Sequence, residues 1–198
     1  AERRKAYLRS CAELLITHLE YLVTEWAPNE KGNYRAEFLK NDPRKSTQLV
    51  LSGLKQFTGA EMAGERLLVA WDTQDQEDEH SCFSDTTHQD VVFDVLGVSN
   101  LFWGTYERLD GTQIVGAGLR SVVSDLLGDR PEMLKDKPEM LGHSILAAQN
   151  EAKKIPRPFD QAIQSEAGRE AILECVSSLE DISADLRLAE LAIFERMR

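Results

Sequence analysis

Lysine and arginine are absent between Arg66 and Arg108, a gap that holds nine acids: Asp72, Asp75, Glu77, Asp78, Glu79, Asp85, Asp90, Asp94 and Glu107. The whole 198-residue chain has a formal charge of −11 and a pI near 4.9. It therefore lacks the basic face that displaces phosphate counterions, which argues against a nucleic-acid partner and makes cations the natural small ones. Long apolar runs are missing too. The longest, Leu67 to Trp71, is far short of the ~20 residues that span a bilayer, so no transmembrane segment is expected. Cysteine is scarce: Cys11, Cys82 and Cys175 form no short-spaced pair, which excludes a zinc ribbon or a disulfide framework. H-E-x-x-H, G-x-S-x-G, a Walker loop and G-x-G-x-x-G are all absent, so the residues give an enzyme reading little direct support.

What is present is helical periodicity. Leu8, Cys11, Leu15, Leu19, Leu22 and Trp26 recur at spacings of three and four, and Pro28 ends that stripe. Asp42-Pro43 pairs an N-cap type with proline at the first helical position, predicting a second helix to about Trp71. Gly53, Ala60 and Gly64 fall on one of its stripes and predict close approach of a neighbouring helix. Asp72 to Asp90 reads as a helix extension followed by a structured turn. A further helix resumes through Val91, Val92, Val95 and Phe102 down to Gly104, with Thr87-x-x-Asp90 as a capping box. Asp110-Gly111 is a turn signal, with a stray hairpin near Thr112. Shorter stripes predict helices over Leu119 to Leu127 and from Leu141 to Ile155, with Pro131 and Pro138 bracketing the connection between them. Ile155-Pro156-Arg157-Pro158-Phe159 is an ordered crossover, and Ile172 to Ile193 form the last and clearest stripe. No segment alternates with period two for long, so an all-α helical bundle in a single compact unit is expected.

The chemistry is expected in the base-free segment. Crowded carboxylates raise one another's pKa and attract cations, which a metal would relieve; a solvated acidic turn is the plainer alternative. Glu77-x-x-His80 places a carboxylate and an imidazole on one helical face, as in metal-binding bundles. His88 heads the Val91, Val92, Val95 stripe and should point inward, as a ligand or as a satisfied core histidine. Ser84 and Asp85 are candidates for capping the next helix. His18 and His143 read as structural. Cys82, two residues from His80, diverges from it on a helix and makes a poor nucleophile.

The run Gln76-Glu77-Asp78-Glu79-His80-Ser81-Cys82-Phe83-Ser84-Asp85-Thr86-Thr87-His88-Gln89-Asp90 closely resembles the signature of imelysin-like proteins. Trp26-Ala27-Pro28, Asn33-Tyr34-Arg35, Gly64-Glu65-Arg66, Asp110-Gly111-Thr112 and Ile155-Pro156-Arg157-Pro158-Phe159-Asp160 follow in the order of the later half of that domain. The resemblance implies an all-α fold of two related bundles in an iron-regulated bacterial envelope protein, periplasmic or tethered to the outer membrane as a lipoprotein. It also implies a family classed among metallopeptidases. Glu77, Glu79, His80, Ser84, Asp85 and His88 carry over as ligand- or metal-site candidates, with Arg66 to balance the acids. Glu77, His80 and His88 are the metal-ligand candidates, for iron, zinc or calcium. The family's other hallmark, G-x-H-x-x-E, belongs to the earlier half, and here no histidine is followed by glutamate three residues on. Either the precursor is cut and that half is a separate partner chain, beside other iron-uptake envelope proteins, or that half of the site is lost; the abrupt start at Ala1-Glu2-Arg3 favours a cut.

Overall fold

The computed structural model describes residues 2–127 and 137–194. Helix accounts for 75% of it, with two short strands, so the apolar stripes of helical period set the architecture. The chain divides into two compact units, Ala1–Ser46 and Thr47–Arg198, where one was expected.

In the first unit, α1 (Glu2–Trp26) ends ahead of Pro28, and none of its residues is buried. Tyr7, Leu8, Leu15, Leu19, Leu22 and Val23 are all more than half exposed, an apolar face left uncovered along the helix. Asn33 caps α2 (Tyr34–Phe38): its Oδ1 accepts from the amide of Ala36 at 2.9 Å, while its Nδ2 donates to the carbonyls of Thr24 and Ala27 at 3.0 Å. That one side chain folds the loop back onto the end of α1. Trp26, Tyr34 and Phe38 then form a ring cluster with centroids 5.2 to 6.1 Å apart.

Helix α3 (Pro43–Gln56), most of which belongs to the second unit, runs on into a π-helical segment (Phe57–Leu68) and α4 (Val69–Thr73). The expected single helix is thus continuous in path but not in winding. The π turns, with their i→i+5 bonds, change which residues face the neighbour. A Cβ on Gly53 would meet nothing within 4 Å, and one on Gly64 only a backbone oxygen at 3.7 Å. The predicted stripe is therefore not the contact. Gly59 is, because a Cβ there would lie 2.6 Å from the Ser183 hydroxyl.

Ser183 belongs to α9 (Glu166–Phe194), whose Ile172, Cys175, Leu179, Ile182 and Leu186 are at most 1% exposed. Helix α9 packs along both the π segment and α7 (Lys137–Ala152), and α7 packs against α5 (Thr87–Trp103). Burying each such Leu or Ile contributes about 1.5–3 kcal/mol, so this stripe is the backbone of the core. Gly104, at φ 72°, ends α5 in the left-handed conformation that glycine adopts without steric cost. An exposed hairpin follows, β1 (Thr105–Glu107) pairing antiparallel with β2 (Gln113–Val115). Its turn is closed by Asp110 Oδ1, which accepts from the Thr112 amide. Helix α6 (Leu119–Leu127) has the bounds its stripe predicts. The expected connection at Pro131 lies outside the described residues, and Pro138 opens α7. Ile155 to Pro158 is non-helical, with a cis Arg157–Pro158 bond, and leads into the short α8 (Phe159–Ala162).

Candidate functional site

The acidic segment folds as a loop between α4 and α5. Gln74 takes φ 56° and terminates α4, Asp75 caps a 3-10 turn over Gln76–Asp78, and Asp85 takes φ 53° before α5 begins. Among non-glycine residues this left-handed region is tolerated best by short polar side chains, which suits Asp85. Its Oδ1 accepts from Gln76 Nε2 at 2.8 Å and ties the two ends of the loop together. Asp85 and Ser84 do not cap α5. Ser84 shares a 2.8 Å hydroxyl contact with Thr86, and the N-cap position, Thr86, has no side-chain cap bond.

Nor do Thr87 and Asp90 form the expected capping box. Thr87 already lies inside the helix, fully buried; its hydroxyl accepts from the Ser81 amide at 3.0 Å and donates to Glu79 Oε2 at 3.2 Å. A buried carboxylate has taken the hydroxyl that a cap would use. Glu79 is 5% exposed, and its Oε1 has no hydrogen-bond partner among the described residues. Burial pushes its carboxyl pKa up, the Thr87 bond opposes this, and the charges of Asp160 and Asp85 push it up further.

His88 is buried, as its place at the head of the stripe requires, and its Nδ1 has no hydrogen-bond partner among the described residues. Desolvation lowers its pKa first, the nearby Arg157 charge lowers it again, and Asp90 acts the other way. On the neighbouring face of α5, burial raises the Asp94 carboxyl; His80 lowers it, Asp90 raises it and Arg66 lowers it. Glu77, His80, Ser84 and Asp85 are exposed. Arg66 is held by Glu61, Nε to Oε1 at 2.8 Å, and so pairs within its own helix while touching the acidic cluster only through its field at Asp94.

Glu77, Glu79, His80, Ser84 and Asp85 thus lie in the loop, His88 in the first turn of α5 and Arg66 in the π-helical segment. The donor types suit iron, zinc or calcium. Yet among the described residues no three His, Cys, Asp or Glu side chains gather closely enough to hold a metal ion, so Glu77, His80 and His88 do not make a three-ligand set. Three participants escaped the sequence reading. Asp90 Oδ2 and Asp160 Oδ1, like Glu79 Oε1 and His88 Nδ1, are buried with no hydrogen-bond partner among the described residues, and the charge of Arg157 acts on His88. The Ile155–Asp160 motif was the available signal, read as a crossover rather than as part of the site.

A family model settles the relationship: imelysin, a peptidase family by classification, matches residues 1–186. The chain belongs to the imelysin family. No curated protein matches it. The match takes in the acidic loop, the Ile155–Asp160 turn and most of α9, so the described site is part of an imelysin domain. Among the described residues, no helix of this imelysin chain is long and apolar enough to cross a membrane.

Proposed function

We propose that this imelysin-family chain is a non-catalytic iron-uptake component of the bacterial envelope, periplasmic or tethered to the outer membrane, that binds a metal ion or iron-bearing ligand at the acidic loop. The observation carrying this reading is Glu79: a carboxylate buried in a segment without lysine or arginine, with one oxygen unpartnered. A carboxylate buried in that state is relieved by a cationic complement or by taking up a proton, and burial pushes its pKa up. Because the described residues gather no three-ligand set, the site is proposed to be shared with the family's earlier half as a separate chain.

Binding of Fe²⁺, Zn²⁺ and Ca²⁺, with and without chelator, tests the reading on this chain alone and on this chain plus the earlier half. Tighter binding by the pair is expected, weakened by His80→Ala or Asp85→Ala at unchanged helix content. Full-strength binding by this chain alone sinks the shared site, and no stoichiometric binding by the pair sinks the reading itself. The family's peptidase classification favours a second reading, a histidine-bound metal activating water. Chelator-sensitive peptide cleavage abolished by His80→Ala decides for it. A pull-down that survives chelation and depends on salt decides instead for a plain interaction bundle.

A further inference from the structure

The hairpin that follows α5 is the only sheet among the described residues, and its pairing leaves one edge of β1 open. Gly116 donates its amide to the Gly104 carbonyl at 2.7 Å, and Arg108 donates to the Thr112 carbonyl at 2.9 Å. With Tyr106 opposite Ile114, these bonds set the hydrogen-bonded pairs at every second residue: Gly104 with Gly116, Tyr106 with Ile114 and Arg108 with Thr112. The backbone N–H and C=O groups of Thr105 and Glu107 therefore point away from β2. Both residues are exposed, and neither strand carries the proline or lysine that commonly blunts an edge.

This edge is firmly mounted. A Cβ on Gly104 would lie 2.5 Å from the Gly116 oxygen and the Gly118 nitrogen, and one on Gly118 would lie 2.3 Å from the Phe102 oxygen. The foot of the hairpin thus packs backbone to backbone on the end of α5. At the tip, Gly111 donates to the Arg108 carbonyl at 2.9 Å. Between β1 and the C-terminal half of α5 lies a cavity of about 450 Å³, lined by Leu96, Asn100, Tyr106, Glu107, Arg108 and Leu109. Leu96, Tyr106 and Leu109 are exposed, and neither Glu107 nor Arg108 has an ion-pair partner among the described residues.

We propose that β1 accepts an extended peptide as a third, antiparallel strand, with an apolar side chain opposite Tyr106 seated in the cavity, a basic one opposite Glu107 and an acidic one opposite Arg108. Backbone bonds to Thr105 and Glu107 supply affinity that any sequence shares, while the cavity and the charges select. Glu107 and Arg108 carry opposite charges at successive positions, so only one order of charges on the incoming strand is complementary. Peptide capture here needs no metal and does not depend on binding at the acidic loop.

The test titrates the full chain with the capped peptide Ac-Ser-Asp-Lys-Val-Thr-Ser-NH2 and with its isomer Ac-Ser-Lys-Asp-Val-Thr-Ser-NH2, following the backbone amide shifts of Thr105 and Glu107. Saturable shifts are expected with the first peptide. The isomer should bind about threefold more weakly or worse, because it sets like charges opposite Glu107 and Arg108. N-methylation of the lysine and threonine nitrogens of the first peptide, which face β1, should weaken it about tenfold or more, whereas N-methylation of the valine nitrogen, which faces away, should not. Glu107→Pro removes the outward N–H and the carboxylate together, and should abolish binding while Tyr106 stays paired with Ile114. No saturable shift, equal binding of the two isomers, or equal loss on N-methylation at all three nitrogens overturns the proposal. Concentration-dependent self-association that Glu107→Pro abolishes also overturns it, since a second copy then occupies the edge.

Discussion

The guanidinium of Arg169 lies over the ring of Trp71, 4.0 Å from its centroid, while the indole Nε1 donates back to the Arg169 carbonyl at 3.1 Å. The two residues stand 98 positions apart and join the end of α4 to the first turns of α9. Arg169→Ala removes the stacking and the donors to two carbonyls, and should cost about 2–4 kcal/mol in urea unfolding. Arg169→Lys should recover only part of that, because an ammonium lacks the planar fork.

Glycine substitutions along α3 and the π segment should split by location. Gly53→Ala meets open space inside a helix and should stabilise by up to ~1 kcal/mol. Gly59→Leu must displace Ser183, whose hydroxyl donates to the Lys55 carbonyl at 3.1 Å, and should destabilise by about 1–3 kcal/mol. Chemical denaturation of the two variants checks both signs. Equal effects would mean that α9 does not press on this face.

The apolar stripes made most of the fold legible. Ile172 to Ile193 and Leu119 to Leu127 became helices with those residues inward, because a 3.6 period repeated over several turns has one economical reading. Winding was not legible. Nothing in the residue types over Phe57–Leu68 marks the π turns, so the stripe chosen ran through Gly64 and missed Gly59. In the site, composition pointed to the right loop, but burial did not follow from it. Glu77, His80 and Asp85 look as functional as Glu79 in a list of residues, yet Glu79 alone among these is buried, since only the fold sets Thr87 and Asp160 around it. Asp160, 81 residues from Glu79, has no local signal connecting them.

Thiol reactivity should separate the cysteines cleanly. Cys11 is exposed, whereas Cys175 is fully buried, and burial followed by the Glu151 charge pushes its thiol up to about 12. At pH 8, iodoacetamide should label Cys11 in the native protein and reach Cys175 only on unfolding, because the thiolate is the reacting species. Mass spectrometry of the labelled peptides reads this directly. Native labelling of Cys175 at a rate near that of Cys11 would contradict the packing of α9.

Gly168→Ala should be among the more damaging single changes near the site. A Cβ there would fall 2.3 Å from the Ala162 carbonyl oxygen, a backbone atom that cannot rotate away. A cost at or above about 3 kcal/mol is expected, with a matching fall in melting temperature. Because Ala162 ends the helix that carries Asp160, amide shifts at Asp160 should move even in the folded fraction.

The π-helical winding of Phe57–Leu68 makes the chain sensitive to length there in a way that substitution does not probe. Each residue added to or removed from a helix rotates everything on one side by about 100° relative to the other. If the π winding is kept, deleting a single residue between Phe57 and Leu68 would swing Leu51, now fully buried, away from the core, whereas a segment that relaxes to ordinary α winding absorbs part of that rotation. The segment works as a phase shifter: it sets α3 in register with α9 while leaving Val69 to Thr73, and the loop they lead into, correctly aimed.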